Sequence, residues 1–250
     1  MLNEFISKAI EYCPDWLFAQ LYTIYNKHGI RINKYKNHWI ISSKDMRIQS
    51  PTAKFTSIGI RQFESKFEKY FKIEKGDNCL DVGACIGDTT IPMILKTGEF
   101  GRVYAVEPNG LNYEYLTINT RLYRNCIPIR IAVWKEKGQL TFHEHSSPTG
   151  HSLIPLSLRK QESIVDTDTL DNLFKGIIFD YAKIDVQSAE IEVLQGATEF
   201  LKTTRKLIVE CHHDYKNELH NTKSEVFDIL RKDYSKIAYS KDYHLFYAWK

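Results

Sequence analysis

The stretch CLDVGACIGDTTIPMIL, residues 79–95, decides the fold of this chain. Its first four residues are mostly apolar and β-prone, as expected of a short strand that is buried on both faces. Gly83 and Gly87 then bracket a turn into a helical pattern over 86–96. Glycines at such a turn let the backbone approach a ligand closely. The segment therefore predicts a strand, a tight turn and a helix, the opening unit of a ligand-binding α/β sheet.

An acidic residue, Glu107, ends the next apolar segment, VYAVEPN at 103–109. It lies 24 positions after Gly83, near the offset of roughly 20 residues at which a second-strand acid meets ribose hydroxyls. The turn GACIG lacks the GxGxxG spacing of a pyrophosphate site, and no P-loop lysine follows it. Two acids, Asp81 and Glu107, suit a cofactor that carries an amino group and a sulfonium. We therefore expect S-adenosylmethionine, with an ordinary βα turn and a solvated acid as the alternative.

The start of the predicted helix supplies the other half of this cofactor site. The first N–H groups of a helix have no partner within it, and the helix dipole is positive there. We therefore expect these amides to hold the carboxylate end of the cofactor without a lysine.

Four ordered segments of the chain resemble the FkbM-type S-adenosylmethionine-dependent methyltransferases, from about Phe55 to His212. The segments are DVGACIGDTT at 81–90, VEPNGLNYEYLTIN at 106–119, DTLDNL at 168–173 and KIDVQSAEIEVLQGA at 183–197. The resemblance implies an α/β class I methyltransferase fold, Rossmann-like, with a mostly parallel seven-strand sheet and helices on both faces. It also implies O-methylation of a hydroxyl on a sugar, glycan or small metabolite, and it places adenine near Ala132.

The predicted cofactor-binding residues combine the turn, the end of the second strand and two further strand ends. They are Asp81, Gly83, Ala84, Cys85, Ile86, Gly87, Asp88, Glu107, Pro108, Ala132 and Asp185.

Catalytic candidates come from the carboxyl ends of later strands. Asp185 in KIDV is polar within an apolar strand, so it could act as base, orient an acceptor, or merely bond loop amides. His212 follows the strand IVEC and could take a hydroxyl proton at neutral pH, or lie on the surface. Glu210 is a further candidate base, with an acceptor-binding acid and a structural acid as the alternatives. Glu190 fits the helix dipole irrespective of catalysis.

The chain departs from the family pattern KIDVEG, because Gln187 and Ser188 stand where Glu and Gly are expected. An amide in place of a carboxylate removes a base or a charge partner. Ser188 is expected to serve as a helix N-cap, so the fold is kept. The alternative to an active enzyme is therefore a cofactor-binding module of the same fold with little or no turnover.

Composition limits the remaining functions. The net charge of +3 and the pI near 8.4 do not call for nucleic acid or an anionic membrane. We find no apolar run of about 18 residues and no signal-peptide order at the amino terminus, so we expect a cytoplasmic enzyme with a small-molecule or carbohydrate acceptor. A homodimer stays open.

The five cysteines form an odd number without close zinc spacing, and they are expected to be reduced thiols. HEH at 143–145 and HHD at 212–214 offer no assignable third ligand, so we predict no metal.

The 250 residues are expected to form one α/β domain at 55–250 and an appendage at 1–54 that caps the acceptor site. The appendage pattern predicts two short helices before about residue 28 and a hairpin of 38–42 with 46–50. Expected core strands are 79–82, 103–106, 127–134, 139–145, 181–186, 206–211, 235–240 and 244–250. Expected core helices are 61–71, 86–96, 111–123, 190–201 and 218–231.

Overall fold

The computed structural model describes residues 14–25, 30–44, 46–53, 58–144, 153, 161–212 and 222–250. Its strands are β1 Arg31–Tyr35, β2 His38–Ser42, β3 Arg47–Ser50, β4 Asn78–Val82, β5 Arg102–Val106, β6 Cys126–Ile129, β7 Ala132–Val133, β8 Gly138–Glu144, β9 Gln161–Asp168, β10 Tyr181–Ile184, β11 Lys206–Glu210, β12 Lys236–Ser240 and β13 Leu245–Trp249. Its helices are α1 Asp15–Tyr25, α2 Ile58–Phe67, α3 Thr90–Thr97, α4 Gly110–Thr120, α5 Leu170–Leu173, α6 Glu190–Gln195, α7 Thr198–Thr203 and α8 Thr222–Leu230.

The main sheet confirms the predicted fold class. Its seven strands lie in the order β12-β13-β11-β10-β4-β5-β6, and β13 alone runs against its neighbours. The strand order reverses between β4 and β10, which pair in parallel. In such sheets the crevice beyond the carboxyl ends at the reversal is where ligands bind.

The prediction of a single third strand over residues 127–134 was wrong. β6 pairs with β5 in the main sheet, whereas β7 leaves that sheet and pairs with β9. The predicted strand at 139–145 exists as β8, but its partner β9 was not predicted. The strands β7, β9 and β8 thus form a separate sheet, and Phe142 on β8 is buried in the wall of the crevice.

The single helix predicted over 190–201 was also wrong, because the chain breaks into α6 and α7. A Cβ on Gly196 would lie 2.5 Å from the carbonyl oxygen of Trp134, so the turn packs tightly against the backbone that follows β7. The Asp171 carboxylate of α5 then accepts the N–H groups of Glu199 and Phe200 at 3.0 and 2.8 Å. These contacts begin a new helix at α7.

The appendage hairpin is confirmed, since β2 and β3 pair antiparallel, and the unpredicted β1 adds a third strand. Of the two predicted short helices, the first lies in residues 1–13, outside the described residues, and the second is α1. Phe18, Ile41 and Ile48 share one buried cluster with Ile86 and Ile91, which follow β4. The appendage and the glycine turn therefore have a common core.

Candidate cofactor and acceptor site

A cleft of about 780 Å³, including its open mouth, lies at the carboxyl ends of β4, β5 and β10. Seven of the eleven predicted cofactor-binding residues line it, and they are Gly83, Cys85, Asp88, Glu107, Pro108, Ala132 and Asp185. The other four do not line the cleft and are buried, and they are Asp81, Ala84, Ile86 and Gly87.

The turn after β4 is held by hydrogen bonds from its own N–H groups. The N–H groups of Gly83 and Ala84 both donate to the Val106 carbonyl at 3.0 Å, and that of Cys85 donates to the Glu107 carboxylate at 2.9 Å. The helix α3 begins only at Thr90, four residues later than predicted. The N–H groups of Gly83, Ala84 and Cys85 are therefore hydrogen-bonded within the protein and stabilise the turn.

Gly83 is required by its close approach to the neighbouring strand. It has φ +79, and a Cβ there would lie 1.9 Å from the Asp185 carbonyl oxygen. Only glycine fits that backbone-to-backbone contact at that φ. The glycine thus brings the turn and Asp185 together, and it also lines the cleft.

Glu107 lies at the end of β5 with its carboxylate fixed by backbone donors. Its Oε2 accepts the Cys85 N–H at 2.9 Å and its Oε1 accepts the Asn109 N–H at 2.8 Å. Burial raises its pKa to about 7, although these two hydrogen bonds act in the lowering direction. Within the described part of the chain no cation is paired with it. A ligand hydroxyl that donates to this carboxylate would stabilise its charge.

Asp88 is a second acid in the cleft wall. Burial raises its pKa to about 6, and the Lys183 ammonium acts in the lowering direction. Together with Glu107 it gives this end of the cleft a negative character, which favours a cationic ligand.

A buried lysine connects β4 and β10 beneath the cleft. Lys183 pairs in register with Asp81, and its Nζ lies 3.3 Å from Asp81 Oδ1 and 3.3 Å from Asp185 Oδ2. Burial alone would lower the pKa of Lys183, but Asp185 and Asp81 raise it far above its usual range. Asp81 also accepts the hydroxyls of Thr89 and Thr90 at 2.7 and 2.8 Å, so it is a structural anchor of the turn.

Asp185 is joined to His212 through the amide of Gln187. Gln187 Nε2 donates to Asp185 Oδ1 at 3.0 Å and lies 2.8 Å from His212 Nε2. Burial opposes ionisation of Asp185, yet Lys183 and His212 hold its pKa well below the usual range. The carboxylate is therefore ionised over the whole physiological pH range.

Both ring nitrogens of His212 face protein groups. Nδ1 lies 2.9 Å from Glu190 Oε1 and Nε2 faces Gln187. Burial acts to lower the pKa of His212, but the bond to Glu190 and the charge of Asp185 raise it to about 9. The Gln187 amide opposes this, because its nitrogen faces Nε2, so the amide must turn before the ring can gain a second proton.

The predicted catalytic residues do not all reach the cleft. Asp185 lines it, His212 lies one side chain behind it, and Glu210 does not line it. Glu210 instead accepts two bonds from Lys66 Nζ of α2, at 3.0 and 2.9 Å. Burial raises the pKa of Glu210, and Asp185 adds to this.

Sequence reasoning gave no role to Lys183 and only a helix-end role to Glu190. A lysine inside an apolar strand was the available signal for the first, since a buried charge needs a partner. Glu190 is fully buried, and its Oε1 accepts the Ser188 N–H at 3.1 Å as well as facing His212. The prediction that Ser188 is the N-cap of α6 was wrong, because Ala189 occupies that position and makes no side-chain cap bond.

His143 of the HEH segment does not line the cleft. His143 Nδ1 lies 3.1 Å from Glu162 Oε1 on the paired strand, and His145 lies outside the described residues. No group of three or more His, Cys, Asp or Glu in the described ranges could hold a metal ion. Among those same ranges no helix is long and apolar enough to cross a bilayer.

The sequence profile described as methyltransferase FkbM domain matches residues 81–236, more than half of the chain. The chain belongs to this family. It is a methyltransferase by family, and its cofactor is S-adenosylmethionine. The matched region includes the turn, Glu107, Asp185 and His212.

Among curated proteins, the hexuronic acid methyltransferase AglP of Haloferax volcanii is 31% identical over 142 residues, 56% of this chain and 57% of that protein. The chain therefore matches little more than half the length of this relative. Among solved structures, Aeropyrum pernix fibrillarin with natively bound S-adenosyl-L-methionine has 13% identity and TM-score 0.47, covering 88% of this chain and 98% of its own. A putative rRNA methylase from Clostridium thermocellum has 10% identity and TM-score 0.48, covering 76% and 92%.

The cleft suits S-adenosylmethionine by the chemistry of its lining. Of the lining residues, Asp88, Glu107 and Asp185 are acids and Lys183 is the balancing cation, so a cofactor bearing an ammonium and a sulfonium is attracted. Ala132, Val133 and Phe142 supply apolar surface for a heterocycle. Glu107 would hold the ribose hydroxyls.

Proposed function

We propose that this methyltransferase transfers a methyl group to a hydroxyl oxygen of a sugar or sugar acid. The observation that carries the proposal is the position of Asp185, whose ionised carboxylate lines the cleft on the strand next to the glycine turn. The similarity to a hexuronic acid methyltransferase supports a carbohydrate acceptor. The bound cofactor supplies a methyl group on a cationic sulfur, so the chain mainly has to place the acceptor.

The proposed role of Asp185 is to accept a hydrogen bond from the reacting hydroxyl. Lys183 and Gln187 each hold one of its oxygens, so the carboxylate cannot rotate freely. Each carboxylate oxygen has a further lone pair for a substrate hydroxyl. A carboxylate with a lowered pKa orients the hydroxyl and stabilises the positive charge that develops on its oxygen as the methyl group is transferred. The proton of the methylated oxygen then passes to Asp185 and from there to water.

His212 and Glu190 act as positioning residues in this proposal. Glu190 fixes the ring through Nδ1, and the ring in turn faces the Gln187 amide that holds Asp185. Glu210 is proposed to be structural, since Lys66 binds both of its carboxylate oxygens.

Asp185→Asn tests the proposal directly. We expect the rate of transfer of a labelled methyl group to a panel of hexoses and hexuronic acids to fall about 100-fold, because the neutral amide cannot stabilise the positive charge that develops on the hydroxyl oxygen. The affinity for S-adenosylhomocysteine should change by less than threefold. Asp242→Asn, the same change on an exposed residue, is the matched control and should leave the rate unaltered. Retention of the full rate in Asp185→Asn would refute the assigned role.

A cofactor-binding module with little turnover is the second candidate. It is favoured by Gln187 and Ser188, which stand where the family pattern has Glu and Gly, and of these Gln187 lines the cleft beside Asp185. Tight binding of S-adenosylhomocysteine with no methylated product across the sugar panel would support this candidate over the enzyme.

A further inference from the structure

Gln187 is an uncharged side chain at a position where a charge would have large consequences. It lines the cleft next to Asp185, and the backbone at Gln187 and Ser188 is in a left-handed conformation. Its amide nitrogen uses one hydrogen toward Asp185 Oδ1 and the other toward His212 Nε2. The side chain is thus held across the acceptor end of the cleft.

A carboxylate could not take the place of this amide. It has no hydrogen to donate, and an oxygen at the Nε2 position would lie 3.0 Å from the ionised Asp185. Two carboxylates at that separation repel, so the new group would stay charged only by moving off Asp185 and into the cleft or onto His212. In either position it would add a negative charge to the acceptor end.

The two lysines near the acceptor end already have carboxylate partners. Lys183 is shared between Asp81 and Asp185, and Lys66 is taken by Glu210. An acceptor with its own carboxylate therefore tolerates a neutral residue at 187 and is repelled by an acidic one.

We propose that Gln187 is a specificity-determining residue, whose neutral amide lets the cleft accept a sugar acid as well as a neutral sugar. The inference rests on the proposed function and identifies Gln187 as the residue that admits, among its acceptors, sugars with a carboxylate near the reacting hydroxyl. Gln187 acts here by contact with the acceptor and by the absence of charge.

The test compares a hexuronic acid with the matching neutral hexose, each as a simple glycoside, as acceptors for Gln187→Glu and the unaltered protein. We expect kcat/KM for the acid to fall at least tenfold relative to the neutral sugar, mainly through KM. Gln195→Glu, the same change at an exposed position of α6, should leave the ratio unaltered. Gln187→Met, which is uncharged, should lower kcat/KM for both sugars in similar proportion.

The outcomes separate the two hypotheses. An active Gln187→Glu protein with an unchanged ratio of acid to neutral sugar overturns the role of Gln187 and leaves sugar methylation standing. An unaltered protein that methylates neither sugar overturns the proposed function, and one that rejects the acid overturns the inference alone. If Gln187→Glu fails to bind S-adenosylhomocysteine, Gln187→Met decides. A change in the ratio of kcat/KM for the acid to kcat/KM for the neutral sugar in Gln187→Met, as large as that expected for Gln187→Glu, would contradict a role based on charge.

Discussion

Gln187 and Ser188 are consecutive residues beside the cleft that have positive φ although neither is glycine. Ser188 at φ +84 occupies a conformation that favours glycine. We expect Ser188→Gly to raise the free energy of unfolding by about 0.5–1 kcal/mol, since the strain relieved exceeds the entropy lost.

Urea denaturation measures this change as a higher midpoint at an unchanged slope. Ser224→Gly is the matched control, because Ser224 is exposed in helix α8, where glycine destabilises by roughly 0.5 kcal/mol. A lower midpoint for Ser188→Gly would show that the strain at this residue is not real.

Glu107 gives the cofactor affinity a pH dependence. Its pKa of about 7 means that only about a tenth of the carboxylate is ionised at pH 6, and ribose hydroxyls bind the ionised form. The affinity for S-adenosylhomocysteine should therefore rise about tenfold from pH 6 to its plateau above about pH 8. Calorimetric titrations of Glu107→Gln should show weaker and much flatter binding, whereas Glu99→Gln, at an exposed glutamate, should follow the unaltered protein. Equal pH slopes in all three proteins would contradict the role of Glu107.

A polar contact links His212, which follows the strand β11, to Glu190 of the helix α6. The raised pKa of about 9 stabilises the folded protein fully below pH 6.5, and that stabilisation is lost as the pH rises to about 9. The difference in unfolding free energy between the unaltered protein and His212→Asn should shrink over this window, by at most about 3 kcal/mol.

Urea midpoints at pH 6, 7.5 and 9 measure this difference for His212→Asn. Glu190→Gln keeps the shape of the partner but removes its charge, so it should lower the pKa of His212 and move the loss of stability to lower pH. A difference that stays constant from pH 6 to 9 would mean that the contact carries no charge.

The sequence predicted most elements of the core, because apolar runs and turn residues are local signals. It missed the break at Gly196 and the departure of β7 from the main sheet, since both depend on contacts with distant residues, Trp134 and β9. It predicted Glu107 from its spacing after Gly83 and Asp185 as a polar residue in an apolar strand, and both line the cleft. The network through Lys183, Gln187 and Glu190 could not be predicted, because it exists only once β4, β10 and β11 lie side by side.

The appendage and the α/β domain are tied together around the glycine turn. Asn119 of α4 bonds the Gln49 main chain of β3 at both N–H and carbonyl, and its Nδ2 also donates to the Ile86 carbonyl at 2.8 Å. Together with the shared cluster around Ile48 and Ile86, this predicts that residues 14–53 do not unfold independently.

A variant with Trp16, Trp134 and Trp249 replaced by Phe retains Trp39, a buried reporter of the appendage. Its fluorescence and its far-ultraviolet circular dichroism should follow one urea transition with a single midpoint, because the two parts share a core. The reciprocal variant that retains Trp249 of β13 is the control and should behave alike. An earlier transition at Trp39 would show that the appendage is a separate unit.

The most direct test of the whole account is a crystal structure with S-adenosylhomocysteine and a hexuronic acid glycoside. We predict the ribose hydroxyls on the Glu107 carboxylate, the sulfur directed toward Asp185, and an acceptor hydroxyl within hydrogen-bonding distance of Asp185, with Gln187 beside the sugar. An empty cleft, or a ligand bound with Glu107 and Asp185 turned away from it, would contradict the account.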